Sequence, residues 1–358
     1  MKPGALMAGR EELASTWESL RIFAESSLGS RREAGWLVDA VRHVPAAAGA
    51  TPASRRGADP PTELQIRLVR ELVERRLSGE PLQYVLGAWQ FRSVELGVDR
   101  RALIPRPETE QVVEVALREL RRVAALHHGA CGIHEGGEAV WAAETATRDE
   151  EWDEEAEAVH VTPLHVVDLG TGSGAIAMSV ASEVLAWPDW AGGGDLAPGA
   201  EKSKSVDLVV WATDISAEAL ELAEENRNRI GDSLGRRIHF RQGDWWRALP
   251  DQLAGKVSVA IANPPYISTD EMATLDPVVK DWEPRSALEG GPAGTEAHRE
   301  ILSDAALWLK LGGAVILEIA PHQATDVTAL AVAAGLADVE VHLDLAGRER
   351  AVVARRKP

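Results

Sequence analysis

The sequence has little cysteine, few basic residues and no long apolar run. Cys131 is the single cysteine among 358 residues, so neither a disulfide framework nor a cysteine-based zinc site can form within the chain. No apolar run approaches the ~20 residues of a membrane-spanning helix, and residues 1–10 lack the apolar segment of a signal peptide. The histidines have no metal-ligand or catalytic-triad spacing, so we expect no metal site. These absences predict a cytoplasmic protein that does not associate with membranes.

Acidic residues outnumber basic residues by 56 to 38, which gives a net charge of −18. Proteins that hold nucleic acid by its phosphates use Lys and Arg to do so, so we expect no direct nucleic-acid binding. Half of the excess charge lies in residues 135–157, which contain ten acids and a single base, Arg148. We predict a solvated insertion at about 127–160 and a second, Gly-rich insertion at about 187–205.

Residues 1–78 are predicted to form a small helical domain. The clearest helix spans residues 62–77, where apolar side chains recur at helical spacing. Thr62 and Gln65 form a capping-box pattern at its start. Taken alone, this domain suggests packing or partner recognition and not chemistry.

Residues 79–104 are predicted to link this domain to the rest of the chain. Their apolar residues alternate loosely on either side of Arg92-Ser93, a pattern typical of a β-hairpin. The remainder, 105–358, begins with an amphipathic helix after Pro107, and strands alternate with helices from residue 164 onward. Such alternation predicts a doubly wound, mostly parallel sheet of seven strands, a Rossmann-like α/β fold.

The first predicted strand of that sheet ends in a glycine-rich loop that opens a helix. The loop consists of Gly170, Thr171, Gly172, Ser173 and Gly174. Glycines let the main chain approach a ligand closely, and a helix N-terminus favours an anionic group. The spacing is G-x-G-x-G and not the G-x-G-x-x-G of dinucleotide-binding proteins. This difference disfavours an NAD-dependent oxidoreductase.

The next two strand ends carry residues suited to a nucleoside. Asp214 ends the second strand, where a carboxylate can accept both hydroxyl groups of a ribose; a turn or cap before Ser216 is its alternative role. Asp244 and Trp245 end the third strand, where an acid can meet an adenine amine and an indole can stack on the ring. For Trp246 a place in the core is nearly as good an interpretation.

The fourth strand end is Asn263-Pro264-Pro265-Tyr266, which follows the apolar run 257–262. Proline fixes φ, lacks an N–H group and holds the preceding residue extended. The segment is therefore stiff and rich in acceptors, and it can hold a planar NH2 group by both hydrogens. Taken alone, it is as compatible with a plain Pro-Pro loop.

Together, the four strand ends predict a nucleoside-like ligand beside an acceptor for an NH2 group. That combination is typical of class I methyltransferases that transfer a methyl group from S-adenosyl-L-methionine (SAM) to nitrogen. More closely, the chain resembles the release-factor glutamine N5-methyltransferases. The stretches that carry this resemblance are 79–84 (GEPLQY), 104–110 (IPRPETE), 168–174, 263–267, 283–288 (EPRSAL) and 347–350. GEPLQY and IPRPETE are the most specific, because many methyltransferases share the glycine loop and Asn-Pro-Pro-Tyr.

The resemblance implies a doubly wound methyltransferase sheet, SAM as cofactor and methyl transfer to the glutamine of the Gly-Gly-Gln motif in peptide chain release factors. The implied SAM contacts are Gly170, Thr171, Gly172, Ser173, Gly174, Asp214, Trp245 and Asn263. The implied substrate site is Asn263, Pro264, Pro265 and Tyr266, with Asn263, Pro264 and Tyr266 as catalytic residues. The helical domain would help to hold the release factor, and we expect a monomer. The two insertions depart from the usual family pattern.

The chemistry requires positioning more than a strong base. The methyl group of SAM is already activated by its sulfonium, whereas an amide nitrogen is a poor nucleophile. Acceptance of both N–H groups, at Asn263 and at the Pro264 carbonyl, would aim the nitrogen and stabilise the positive charge that grows on it. Good alignment can supply roughly 7–11 kcal/mol.

Two other functions remain open at this point. One is an adenine-N6 or other nucleic-acid amino-methyltransferase, which the net charge and the lack of a basic recognition domain disfavour. The other is a SAM-binding interaction module without activity, which the intact Asn-Pro-Pro-Tyr segment disfavours.

Overall fold

The structure, a computed structural model, describes residues 16–42, 44, 59–129, 163–187 and 207–357. Residues 130–162 and 188–206, which hold nearly all of the two predicted insertions, lie outside the described residues, as does Cys131. Within the described ranges, no helix is long and apolar enough to cross a membrane. In the same ranges, no group of His, Cys, Asp or Glu side chains is arranged to hold a metal ion.

Four helices form the described N-terminal part of the chain. They are α1 (Trp17–Leu28), α2 (Arg31–Arg42), α3 (Glu63–Leu77) and α4 (Leu82–Leu86). The predicted capping box of α3 is present, because the Thr62 hydroxyl accepts from the Gln65 N–H and the Gln65 side chain accepts from the Thr62 N–H. Buried aliphatic residues, among them Leu20, Leu37 and Val69, give these helices a core of their own.

A short hairpin follows, and it is smaller than the sequence predicts. Strands β1 (Ala88–Phe91) and β2 (Val94–Gly97) pair antiparallel around the expected turn at Arg92-Ser93. Residues 82–86 form α4 instead of a strand. Leu82 and Val85 lie three positions apart and both pack into the core of the helical part. Gly87, with φ of 71°, ends α4.

Seven strands form the central sheet. They are β3 (Leu164–Leu169), β4 (Leu208–Asp214), β5 (Ile238–Gln242), β6 (Val257–Ala262), β7 (Leu309–Glu318), β8 (Ala337–Leu343) and β9 (Glu349–Arg355). Their order is β5-β4-β3-β6-β7-β9-β8, and the five strands from β5 to β7 are parallel. Only β9 runs antiparallel to its neighbours β7 and β8 within this described sheet. The predicted fold class, a mostly parallel, doubly wound sheet, is confirmed.

Helices cover both faces of the sheet. They are α5 (Pro107–Gly129), α6 (Ala175–Leu185), α7 (Ala217–Ile230), α8 (Asp232–Gly235), α9 (Pro277–Lys280), α10 (Glu296–Trp308) and α11 (Ala324–Ala333). Successive residues of a strand point to opposite faces. Val259 and Ile261 of β6 therefore pack with α5 and α6, whereas Ala260 packs with α10 and α11. The sheet is buried on both sides, as a parallel sheet requires.

The register of the strands places the predicted site residues side by side. Leu169, the last residue of β3, pairs with Thr213 of β4 and with Ala262 of β6. The glycine loop, Asp214 and Asn263 follow directly from these three strand ends. They therefore meet at one edge of the sheet, although almost a hundred residues separate the first from the last.

The hairpin is attached firmly to the sheet domain. The Asn226 side chain of α7 accepts from the Gly97 N–H at 2.7 Å and donates to the Gly97 carbonyl at 3.0 Å. Arg92 forms ion pairs with Glu183 of α6 and Glu114 of α5. The Tyr84 hydroxyl donates to a main-chain carbonyl beyond the hairpin, that of Ala102, at 2.8 Å. The hairpin is thus packed against the helices that flank the sheet.

Candidate active site

Asp168 fastens the glycine loop to the helix that follows it. Its carboxylate accepts from the Thr171 hydroxyl at 2.6 Å and from the Ala177 N–H at 3.1 Å. Complete burial raises the pKa of this carboxyl to about 7, against the lowering effect of these two hydrogen bonds. Gly170 and Gly172 have φ of 75° and 55°, a region that side chains disfavour. The loop can thus present bare main chain to a ligand.

Asp214 joins the second strand end to the glycine loop. One carboxylate oxygen accepts from the Ser216 N–H at 2.9 Å and the other accepts from the Gly172 N–H at 2.8 Å. Burial raises the pKa of Asp214, and the hydrogen bonds from Ser216, Gly172 and Ile215 oppose that rise. The helix-capping role belongs to Ser216, whose hydroxyl accepts from the Ala219 N–H.

The two tryptophans at the third strand end have different surroundings. Trp246 is a core residue: its indole N–H donates to the Ile301 carbonyl at 2.8 Å, and its ring stacks on Trp308. Trp245 has φ of +43°, which is rare for a bulky residue. This backbone places its ring so close to Gly170 that a Cβ there would lie 3.1 Å from it. Trp245 therefore forms a wall beside the glycine loop.

The Asn-Pro-Pro-Tyr segment is held in place by residues that lie later in the chain. A Cβ on Gly290 would overlap the Pro265 carbonyl, and a Cβ on Gly294 would crowd the Tyr266 carbonyl. The Gln323 side chain donates to that same Tyr266 carbonyl at 2.8 Å. These contacts fix the position of the segment. The pattern of glycines at 290 and 294 was not recognised from the sequence as part of the site.

Asn263 carries the most informative atom of the segment. Its Nδ2 donates to the Thr109 hydroxyl oxygen at 3.2 Å. Its Oδ1 is buried and has no hydrogen-bond partner among the described residues. A buried acceptor without a donor costs ~1–3 kcal/mol, so the position favours a ligand that supplies an N–H or O–H group.

Glu318, at the end of β7, lies behind Asn263 and was not predicted as a site residue. It is completely buried, and it accepts from the Thr109 hydroxyl at 2.7 Å. The Tyr266 hydroxyl lies 3.5 Å from its other oxygen. Burial raises the pKa of Glu318 to about 7. The only available sequence signal was a carboxyl group at the end of an apolar strand.

Glu283 gives Arg106 a structural role. Its buried carboxylate forms an ion pair with the Arg106 guanidinium and accepts from the Ile104 N–H at 3.0 Å. These bonds join IPRPETE to EPRSAL, two of the stretches on which the family resemblance depends. The joined segments form the wall of the cleft opposite the sheet edge, where Pro105 and Pro284 line it.

The strand ends open onto one cleft. The predicted site residues that line it are Gly170, Thr171, Gly172, Ser173, Asp214, Trp245, Asn263 and Pro265. Of the described residues that were predicted for the site, Gly174, Pro264 and Tyr266 do not line the cleft. Gly174 has φ of 84°, a region that side chains disfavour, and a Cβ there would lie 2.6 Å from the Met178 methyl group. Pro264 is buried, and Tyr266 points toward Glu318.

The fold and the four strand ends define a class I methyltransferase. Comparison with known proteins narrows the class. A family model described as PrmC N-terminal domain matches residues 24–87. A release factor glutamine methyltransferase from Synechocystis sp. is 36% identical over 278 residues, which span 77% of this chain and 73% of that protein. Another, from Thermodesulfovibrio yellowstonii, is 30% identical over 297 residues, 82% of this chain and 83% of that protein. The chain belongs to the release factor glutamine methyltransferase family.

A solved structure of the same description is also similar to this chain. It is the release factor-specific protein-(glutamine-N5) methyltransferase from Alicyclobacillus acidocaldarius, with 22% sequence identity and a TM-score of 0.33. The match covers 71% of this chain and 95% of that chain.

Proposed function

We propose that this chain transfers the methyl group of SAM to the side-chain amide nitrogen of the glutamine in the Gly-Gly-Gln motif of peptide chain release factors. The observation that carries the proposal is the buried, unpartnered Oδ1 of Asn263 beside a cleft suited to a nucleoside. The names of the relatives support a glutamine of a release factor as the substrate.

The residues that line the cleft fit SAM. Gly170 and Gly172 bring bare main chain to the cleft. The Asp214 oxygens accept from main-chain N–H groups, Oδ1 from Ser216 and Oδ2 from Gly172, and the carboxylate retains a lone pair for a ribose hydroxyl. Trp245 supplies a flat apolar wall for the adenine ring. When bound, SAM supplies a methyl group that its sulfonium has already activated.

Asn263 and Pro264 hold the glutamine amide in this proposal. The Asn263 Oδ1 accepts one N–H of the amide, and the Pro264 carbonyl accepts the other. Both bonds strengthen as positive charge develops on the nitrogen, so they stabilise the transition state more than the ground state. Pro265 lines the cleft beside them, and Tyr266 supports the segment from the side of Glu318. No group has to remove a proton before the methyl transfer: the nitrogen–methyl bond would form as the sulfur–methyl bond of SAM breaks, S-adenosylhomocysteine would leave, and the methylated nitrogen would then lose one proton to water.

We further propose that residues 1–78 help to hold the release factor, 79–104 link the two parts, and 105–358 carry the chemistry. The separate core of α1 to α3, which Leu82 and Val85 of α4 also join, supports this division. Among the described residues, none from 16 to 78 lines the cleft.

The test is a mass measurement. The purified chain is incubated with SAM and a release factor, and the Gly-Gly-Gln peptide is examined for the mass of one methyl group. A release factor with alanine in place of that glutamine is the matched control. Bound SAM without methylation of the wild-type peptide would overturn the proposal. Methyl transfer to DNA or RNA instead would favour the nucleic-acid amino-methyltransferase.

A further inference from the structure

A line of hydrogen bonds runs from the end of β7 to Asn263. The Thr109 hydroxyl donates to Glu318 Oε2 at 2.7 Å, and the same hydroxyl oxygen accepts from Asn263 Nδ2 at 3.2 Å. Thr109 and Glu318 are both buried, with exposures of 4% and 0%. Water therefore does not compete for these bonds, and each group depends on its neighbour in the line.

The direction of the line is fixed by the single proton of a hydroxyl group. The Thr109 proton is given to the Glu318 carboxyl, so Thr109 can only accept from its other neighbour. The NH2 end of the Asn263 amide must therefore face Thr109. Its Oδ1 must face away from Thr109, as the free acceptor. An amide can otherwise flip by half a turn at little cost, because its two ends have nearly the same shape.

We propose that Thr109 and Glu318 are positioning residues that set the orientation of the Asn263 amide, so that an acceptor and not a donor meets the substrate nitrogen. The inference rests on the proposed function. If the Asn263 amide were reversed, its NH2 group would face the NH2 group of the glutamine, and neither could accept from the other.

The surroundings of Glu318 support a role beyond packing. Its side-chain partners among the described residues are the hydroxyl groups of Thr109 and Tyr266, not a basic group. Arg350 of β9 and Glu108 of α5 act on it from farther away, and His298 of α10 contacts its main-chain oxygen at 2.8 Å. A buried carboxyl without an ionic partner is costly. The line of bonds gives a reason why a carboxyl occupies this position.

The direction of the line follows from the ionised form of Glu318, which can only accept. Burial raises its pKa to about 7, so both forms occur near neutral pH. A proton on Oε1 leaves Oε2 able to accept from Thr109, whereas a proton on Oε2 would let Glu318 donate and would reverse the line. Glutamine keeps an oxygen that can accept from Thr109, and it is therefore the conservative replacement.

The first test compares Thr109→Val with Thr109→Ser. Valine has nearly the same shape as threonine but cannot accept from Asn263, whereas serine retains the hydroxyl. We expect Thr109→Val to lower kcat for release-factor methylation by about 10- to 100-fold when SAM is saturating. Thr109→Ser should restore most of the rate. If Thr109→Val is as fast as wild type, or if Thr109→Ser is as slow as Thr109→Val, the inference is wrong.

The second pair, Glu318→Met and Glu318→Gln, tests the other end of the line. Both replacements remove the charge, but only glutamine retains an oxygen for Thr109. Glu318→Gln should therefore be faster than Glu318→Met by about tenfold or more. Equal rates for the two variants, with both folded by circular dichroism, would contradict the role assigned to Glu318.

A double-mutant cycle shows whether Thr109 acts through Asn263. In an Asn263→Ala background the amide is absent, so Thr109→Val should change the remaining rate by less than about twofold. If Thr109→Val lowers the rate in that background as much as it does in the wild type, Thr109 acts independently of Asn263 and the inference is wrong.

Nuclear magnetic resonance gives a measurement that does not depend on activity. The side-chain NH2 signal of Asn263 in 15N-labelled protein should shift in Thr109→Val and return toward its wild-type position in Thr109→Ser. An unshifted signal in Thr109→Val would contradict the proposed bond. If the wild type methylates no release factor, the proposed function fails, whereas an active wild type with an unaffected Thr109→Val sinks only this inference.

Discussion

At the scale of single residues, the site is defined by the direction in which its polar atoms face. Asn263 presents an unpartnered acceptor, and Asp214 divides its two oxygens between Ser216 and Gly172. The unpartnered acceptor of Asn263 is costly in the free protein, and the left-handed backbone of Trp245 is strained. A ligand that donates to Asn263 and stacks on Trp245 offsets part of that cost.

Asn263→Ala should abolish most of the methyl transfer. The variant loses the acceptor whose bond strengthens in the transition state, and we expect turnover to fall by about 100- to 1,000-fold. Removal of a buried, half-satisfied amide should leave the thermal unfolding temperature near that of the wild type. Kinetics and a melting curve check both expectations. Wild-type turnover in the variant would contradict the role of Asn263.

The neighbouring tryptophans form a matched pair. Trp245→Ala removes the wall of the cleft and should weaken SAM binding by about 10- to 100-fold, since stacking on a base contributes ~1–3 kcal/mol. Trp246→Ala leaves a cavity in the core and should lower the unfolding free energy by about 3–5 kcal/mol. Calorimetric titration and urea unfolding distinguish the two effects. If Trp246→Ala weakened SAM binding and Trp245→Ala lowered the unfolding free energy instead, Trp245 would not be a wall of the SAM site.

At the scale of elements, the ends of β3, β4, β5 and β6 supply the residues that line the cleft, and the loop at 289–294 supports the segment that follows β6. Gly290 lies so close to the Pro265 carbonyl that a side chain cannot fit without a shift of the segment. The site therefore depends on a loop that is distant in sequence from the strand end it supports.

Gly290→Ala should reduce turnover while the SAM affinity remains near that of the wild type. The added methyl group displaces Pro265 and hence the acceptors for the amide. Gly35→Ala is the control, because that glycine lies inside α2 with only the Arg21 guanidinium, at 3.9 Å, near a new Cβ. The control should stabilise the fold by up to ~1 kcal/mol. Steady-state kinetics of both variants check the prediction, and full activity of Gly290→Ala would contradict it.

Prediction from sequence succeeds here where the signal is local. The alternation of strands and helices yields the sheet, and each strand end can be read from the polar residue that follows an apolar run, as at Asp214 and Asn263. The α4 helix was missed because its packing partners lie in α1 to α3. Thr109 and Glu318 were missed because 209 residues separate them and only the tertiary fold brings them together.

At the scale of the whole molecule, buried carboxyl groups near the site make the free energy of unfolding depend on pH. Burial raises the pKa values of Asp168 and Glu318 to about 7, from ordinary values of 3.8 and 4.5. The folded state therefore binds these protons more tightly than the unfolded state. The unfolding free energy falls as pH rises from the ordinary pKa toward 7, and it levels off above 7.

Glu318→Gln should accordingly be more stable than the wild type at high pH. The glutamine amide carries no charge to bury. The rise in the pKa of Glu318 on folding corresponds to about 3 kcal/mol of unfolding free energy at pH values where the carboxyl is fully ionised. The gain should be present at pH 8 and much smaller at pH 5. Urea unfolding at the two pH values checks the sign of this difference in unfolding free energy. A gain that is larger at pH 5 would show that Glu318 is not held in its neutral form by burial.

The central claim is that Asn-Pro-Pro-Tyr receives a glutamine amide next to SAM. The most direct measurement is the mass of the Gly-Gly-Gln peptide of a release factor after incubation with SAM and either the wild-type chain or Asn263→Ala. The claim predicts one added methyl group on the glutamine with the wild type and little or none with the variant. An unmodified peptide from a wild type that binds SAM would contradict the claim.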